Sequence, residues 1–245
     1  MEPKNFSLFT SRLYELKHRI KVSCIENNIS QSNIKILAVS KKKSLNDVKN
    51  AIANGLKNFG ENYLNEAIEK KNALNAQCNV DNIEWHYIGA IQKNKTKKLA
   101  ENFNWIHSVD RFEVAKRLSD QRPSHMKDLK IFLQVNIDNE EKKSGVMIEK
   151  TKDLAVEISK LPKLKLYGLM SIPRANLFLT DQRRSFNELN KLKNDINESG
   201  QIDQKLKSLS MGMSADLEAA IAETDSDSET WIRIGTALFG ERSKI

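Results

Sequence analysis

A chain of 245 residues with 39% hydrophobic and 29% charged residues has the make-up of a globular protein and the length to bury one large core or two small ones. No apolar stretch approaches the length needed to span a bilayer, which excludes a transmembrane helix. The net charge of +8 fits either nucleic acid or phosphate-bearing small molecules, but the lysines are scattered and many sit beside glutamate or aspartate, which argues against a dedicated nucleic-acid surface.

In chain order, helical periodicity runs from Phe6 to about Glu26 through Leu8, Phe9, Leu13, Leu16, Ile20 and Val22. The start, Met1 to Phe6, has no apolar core, so no signal peptide is expected. A first strand is expected over about Ile34 to Ser40. Ser44 then caps a helix that stops at Gly55. A short strand at Lys57 to Phe59 precedes a helix from about Tyr63 toward Asn75. Strand Ile83 to Ile88 leads to a helix over Lys93 to Asn102, and strand Trp105 to Ser108 to one over Arg111 to Asp120. Strand Leu129 to Ile137 is followed by a helix at about Ile148 to Leu161, and strand Leu164 to Met170 by one at Asp181 to Ser199. Strand Lys207 to Ser210 precedes a helix over Ala215 to Glu223. Strand Trp231 to Ile234 ends on Gly235-Thr236 and a short helical turn.

Eight strands, each followed by helical sequence, predict a (β/α)8 barrel of the α/β class with an extra N-terminal helix, one domain over residues 1–245. An open doubly wound sheet is the other arrangement of such units, and the count of eight with no topological break favours the barrel. In a barrel the functional face lies at the carboxyl ends of the strands.

Lys41 follows the first strand, whose β-branched run Ile34 to Val39 reads as buried on both faces. Burial disfavours an ammonium, and Lys42 and Lys43 add positive potential, so Lys41 is a candidate Schiff-base nucleophile. After the second strand, Asn62 either caps a helix or presents its amide to a ligand. His86, alternating with Trp85 and Tyr87, either reaches the barrel mouth or is a satisfied core histidine, and His107 admits the same two readings. The segment Ser210 to Asp216, with Met213 and Ser214, and the segment Arg233-Ile234-Gly235-Thr236 place hydroxyls, glycine and helix amides after strands seven and eight, where barrels frequently bind phosphate. Ordinary capping by Ser214 and Thr236 is the competing reading. An amine after strand one and a phosphate cup after strands seven and eight fit a cofactor with an aldehyde and a phosphate, pyridoxal 5′-phosphate (PLP). Arg233 is placed to reach its pyridine nitrogen. No His, Cys, Asp or Glu set has metal spacing, so no metal is expected; Cys24 and Cys78 read as cytosolic thiols. The group Lys93, Lys95, Lys97 and Lys98 is the densest candidate for an anionic partner.

Through the segments Leu37 to Lys41, Phe59 to Tyr63, Trp85 to Gly89, Gln92 to Lys95, Lys143 to Gly145, Gly168 to Pro173, Ser210 to Asp216 and Arg233 to Gly240, the chain resembles the pyridoxal phosphate homeostasis proteins of the YggS/PROSC type. The resemblance implies a barrel like the N-terminal domain of alanine racemases, with PLP as an aldimine on Lys41. It implies phosphate contacts from the Ser214 region, Gly235 and Thr236, a pyridine-nitrogen contact from Arg233 and a pocket position for Asn62; His86 and Met213 are expected as further cofactor-binding positions from their place at the strand ends. Such proteins carry or buffer PLP in vitamin B6 and amino-acid homeostasis, without established catalysis. PLP-dependent apo-enzymes are the implied partners, the cytoplasm the implied compartment and a monomer the expected state. The family often reads Thr-Lys-Pro after the lysine, where this chain has Lys42-Lys43-Ser44. The alternative is a PLP-dependent racemase of the alanine racemase type. That reaction needs a second acid/base, a tyrosine from a partner domain, for which no room is expected after residue 245.

Overall fold

The computed structural model describes residues 8–77, 82–140, 143–174 and 178–241. Helix α1 (Leu8–Glu26) leads to β1 (Ile34–Val39), α2 (Leu45–Ala53), β2 (Asn58–Glu61), α3 (Leu64–Gln77) and β3 (Glu84–Tyr87). Next come α4 (Thr96–Asn102), β4 (Trp105–Val109), α5 (Phe112–Gln121), β5 (Leu129–Asn136), β6 (Val146–Met147) and α6 (Ile148–Ser159). The chain continues with β7 (Leu164–Ser171), α7 (Leu179–Glu198), β8 (Ser208–Met213), α8 (Leu217–Ala222), β9 (Glu229–Ile234) and α9 (Thr236–Phe239).

Eight of these strands close into a parallel ring. Each pairs with the next in chain order, β5 skips to β7, and β9 returns to β1 with Arg233 opposite Leu37. The expected (β/α)8 barrel is therefore the fold. The short β6 is an addition that sequence periodicity did not predict. It pairs with β5 outside the ring, too brief to leave an alternating pattern. The helix expected from Lys93 begins as a 3-10 turn over Lys93–Lys95 and becomes α-helical at Thr96. Strand β8 also runs past its expected end at Ser210 to Met213, with a register shift against β9. That extension needs Gly212, whose φ is +82° and whose Cβ, if present, would lie 2.6 Å from Ala220 Cβ.

The period-two alternation sorts each strand into an inner and an outer face. Inside the ring, Leu37, Trp105, Phe132, Met170 and Trp231 form an apolar plug separate from the larger core between sheet and helices. Burying each large side chain of this kind stabilises by roughly 1.5–3 kcal/mol. Below the plug, at the amino ends of the strands, Lys35 pairs with Glu229 and Lys130 with Glu84, each at 3.3 Å. Lys130 also lies over the Trp105 ring at 4.3 Å, and Trp105 Nε1 donates to Glu84 Oε2 at 2.6 Å. Helix α1 packs against α8 and α9 through a face that includes Phe9, Leu13, Leu16 and Ile20. Phe9 meets Phe239 at 5.5 Å, and Arg19 grips Glu218 with two nitrogens at 2.8 and 3.0 Å.

Candidate cofactor site at the barrel mouth

Alternation along β1 points Leu37 and Val39 inward, and Lys41 follows in the same phase just past the strand end. Lys41 lines a cavity of about 280 Å³ above the plug. Val39, Ile88 and Met170 supply its apolar wall, and Ile172 and Met213 stand half-exposed in its lining. Asn62, Ser214, Arg233, Gly235 and Thr236 complete it. Of the residues expected to bind the cofactor, Lys41, Asn62, Met213, Ser214, Arg233, Gly235 and Thr236 line this cavity and His86 does not.

His86 is fully buried and lies below the cavity, its ring stacked on Trp105 at 5.2 Å with 7° between planes. Alternation put it on the inner face, and there it occupies the middle layer with both ring nitrogens hydrogen-bonded, the core-histidine reading of the two that the sequence allowed. There it belongs to a chain of hydrogen bonds. Arg233 Nη1 donates to Ser210 Oγ at 2.9 Å, and Ser210 Oγ lies 2.7 Å from His107 Nδ1. His107 Nε2 is 2.9 Å from His86 Nδ1, and His86 Nε2 is 3.2 Å from Asn58 Oδ1. Asn58 Oδ1 can only accept, so a neutral His86 donates to it through Nε2 and accepts at Nδ1. That makes a neutral His107 donate through Nε2 and leaves its Nδ1 to accept the Ser210 proton, while Ser210 Oγ accepts from Arg233. Both rings are neutral in this arrangement. Burial holds both pKa values well below the ordinary histidine range, with His107 and then Lys130 adding to the effect on His86, and Arg233 to that on His107.

Arg233 is itself buried and donates through Nη2 to Ser171 O at 2.9 Å. Desolvation lowers its pKa to about 10, partly opposed by Asp216, so it remains a cation at neutral pH. Asn62 precedes α3 by two residues, and its Oδ1 is buried with no hydrogen-bond partner among the described residues. A buried polar atom without a partner beside a cavity calls for a ligand donor. Ser214 does not cap α8; its hydroxyl oxygen accepts from Ala237 N at 3.3 Å, so it caps α9 from across the cavity and ties together the two segments expected to form a phosphate cup. Thr236 is the first residue of α9, not its cap. Lys42 and Lys43 turn elsewhere: Lys42 Nζ lies 5.8 Å from the centre of the Tyr63 ring, and Lys43 Nζ donates to the carbonyls of Phe239, Gly240 and Glu241 at 3.1–3.3 Å.

Sequence reasoning missed two arrangements around this site. Ser210 and His107, each noted in the sequence, are joined to the Arg233 guanidinium, and nothing in their spacing reveals a chain that crosses the ring. Glu61 and Lys70 form a buried ion pair at 2.9 Å behind β1. A carboxylate at the end of an otherwise apolar strand segment was the available signal for Glu61.

The sequence matches the family described as "Alanine racemase, N-terminal domain" over residues 13–243. The pyridoxal phosphate homeostasis protein of Pseudomonas aeruginosa is 43% identical over 236 residues, 96% of each chain. The chain belongs to the pyridoxal phosphate homeostasis protein family. A structure of PipY from Synechococcus elongatus with PLP bound matches this homeostasis protein at a TM-score of 0.80 and 31% identity, covering 95% of this chain and 100% of that one. Alanine racemase from Corynebacterium glutamicum matches at a TM-score of 0.62 and 15% identity, over 91% of this chain and 59% of its own, a likeness of fold alone. No helix among the described residues is long and apolar enough to cross a membrane.

Proposed function

We propose that this chain binds PLP at the barrel mouth and carries or buffers it for vitamin B6 and amino-acid homeostasis, without turning over a substrate. The observation that carries the reading is the convergence of Lys41, Arg233, Asn62 and two hydroxyl-bearing segments on one cavity of about 280 Å³. The PLP-bound structure of PipY supports the same ligand. When bound, PLP supplies an aldehyde carbon that forms a carbon–nitrogen double bond to a lysine amine with loss of water. Lys41 is the amine on the cavity wall and takes that role in our reading. Ser214 accepts from Ala237 N, which leaves its hydroxyl proton for a phosphate oxygen; Thr236 and the Gly235 segment stand beside it. Arg233 is the donor for the pyridine nitrogen. A guanidinium that keeps its proton to about pH 10 leaves that nitrogen unprotonated, which weakens the ring as an electron sink.

Racemisation by two bases requires a second group that exchanges protons with carbon. Among the described residues lining the cavity, the remaining polar side chains are an amide, two hydroxyls and the anchored guanidinium. This supports carriage over racemisation. The reading extends to delivery to PLP-dependent apo-enzymes, to a monomer, and to the cytoplasm, where the buried unpaired Cys24 suits a reducing compartment.

The test is an absorption spectrum of the purified protein before and after borohydride, followed by peptide mapping. A visible band, lost on reduction with the cofactor mass fixed on Lys41, is expected. No band after incubation with PLP would overturn the reading.

A further inference from the structure

The backbone on both sides of Lys41 is gripped by one buried ion cluster outside the barrel wall. Alternation turns Ser40 outward where Lys41 turns inward, and Ser40 is fully buried. Its Oγ donates to Glu61 Oε1 at 2.7 Å, and its carbonyl accepts from Lys70 Nζ at 2.7 Å. Lys70 Nζ also reaches Glu61 Oε1 at 2.9 Å and Glu66 Oε1 at 2.6 Å. The same Glu66 oxygen accepts from the backbone N–H of Lys42, whose φ of +59° is unusual for a residue with a Cβ. The ammonium thus has three acceptors, and each contact ends on a residue adjoining Lys41 or on a carboxylate that holds one.

A buried ion cluster is a poor device for stability alone, because desolvation offsets most of its attraction, and apolar side chains would fill the same space at less cost. What charge offers here is direction. The Ser40 carbonyl belongs to the peptide unit that carries the Lys41 nitrogen, and the Lys42 amide belongs to the next one. Fixing both sets the path of Lys41 Cα–Cβ and hence where its side chain enters the cavity. Glu61 Oε2 is buried with no partner among the described residues, so Glu61 serves Ser40 and Lys70 through one oxygen.

We propose that Lys70, Glu61 and Glu66 are positioning residues that hold the Ser40–Lys42 turn so that the Lys41 amine meets the aldehyde of PLP; this rests on the proposed cofactor reading. Pyridoxamine 5′-phosphate separates positioning from general support, because it keeps the ring and phosphate but has no aldehyde to react with Lys41.

The experiment uses full-length protein, wild type and Lys70→Met, with Lys70→Met/Glu61→Gln as a variant that leaves no unpaired buried carboxylate and Glu66→Ala as a milder one at a half-buried position. Three quantities are read: amide hydrogen exchange across residues 40–43, borohydride-trapped PLP on Lys41 against PLP concentration, and affinity for pyridoxamine 5′-phosphate. We expect at least tenfold faster exchange at 41–43, at least a tenfold rise in the PLP needed to half-fill Lys41, and less than a twofold change for the analogue. Unchanged exchange and trapping in Lys70→Met and the double variant overturn the proposal. A parallel loss of PLP and analogue binding also overturns it, showing a merely structural cluster. If wild-type protein traps no PLP, the cofactor reading falls instead, and the exchange result alone decides whether the cluster holds the turn.

Discussion

Arg233 and Ser214 show how a residue inside the barrel wall is aimed by its own hydrogen bonds. Arg233 uses one N–H on Ser210 and another on Ser171 O, which fixes the guanidinium plane and leaves its remaining donors for the cavity. Ser214 accepts one bond and keeps a proton to give. From the second arrangement we expect Ser214→Ala combined with Thr236→Ala to weaken PLP retention. Hydrogen bonds to a charged phosphate contribute about 1.5–3 kcal/mol each, so the double variant should lose on the order of 100-fold or more in Kd, by equilibrium dialysis. Unchanged retention would remove both hydroxyls from the phosphate site. Lys41→Ala should abolish borohydride trapping while the melting temperature of the apo protein stays within a few degrees, because the half-buried Lys41 side chain lines a cavity and fills no core. A collapsed thermal transition would contradict that. The buried histidines make a third expectation. Both are neutral in the fold and would take up protons when unfolded, so their contribution to stability is complete above the unfolded pKa near 6.5 and is lost as pH falls below it. Each contributes a slope of up to about 1.4 kcal/mol per pH unit. Urea melts between pH 7 and 5 should show this steep fall, and His107→Gln should flatten it.

At the scale of elements, the stretch between β1 and α2 is short and tightly specified. Ser44 and Asp47 close a capping box: Asp47 N donates to Ser44 Oγ at 3.1 Å, and Ser44 N donates to Asp47 Oδ2 at 2.9 Å. Ser44→Ala should therefore destabilise by about 1 kcal/mol, seen as a lowered midpoint in denaturant with an unchanged slope. This box was legible as a serine before a periodic helix. So were the strands themselves, because parallel strands buried on both faces leave continuous apolar runs such as Ile36 to Val39 that no surface element would keep. The depth of a residue within the ring was not legible. Period two assigns His86 and Arg233 to the same inner face, but only the stagger of neighbouring strands decides that one lies beneath the plug's rim and the other at the mouth. Likewise Lys70 reads in sequence as an ordinary partner of Glu66 four residues earlier. Its reach to Ser40 depends on how α3 sits against β2, which no local pattern carries.

The whole molecule was legible in outline because its strands follow one another around the ring in chain order, so counting units predicted closure. The short β6 escaped the count because two residues cannot show a period. What closure adds is asymmetry between the ends. Aromatic side chains and two ion pairs fill the amino end, while the carboxyl end holds the cavity. With its base filled among the described residues, the cavity exchanges its contents at the carboxyl end, so loading and release are one journey travelled in opposite directions. Bulk added at the entrance, placed so that it does not touch the bound molecule, slows arrival and departure by the same factor. Residence time can then lengthen while the equilibrium occupancy stays where it was, and a carrier of this shape can be adjusted in tempo without being adjusted in grip.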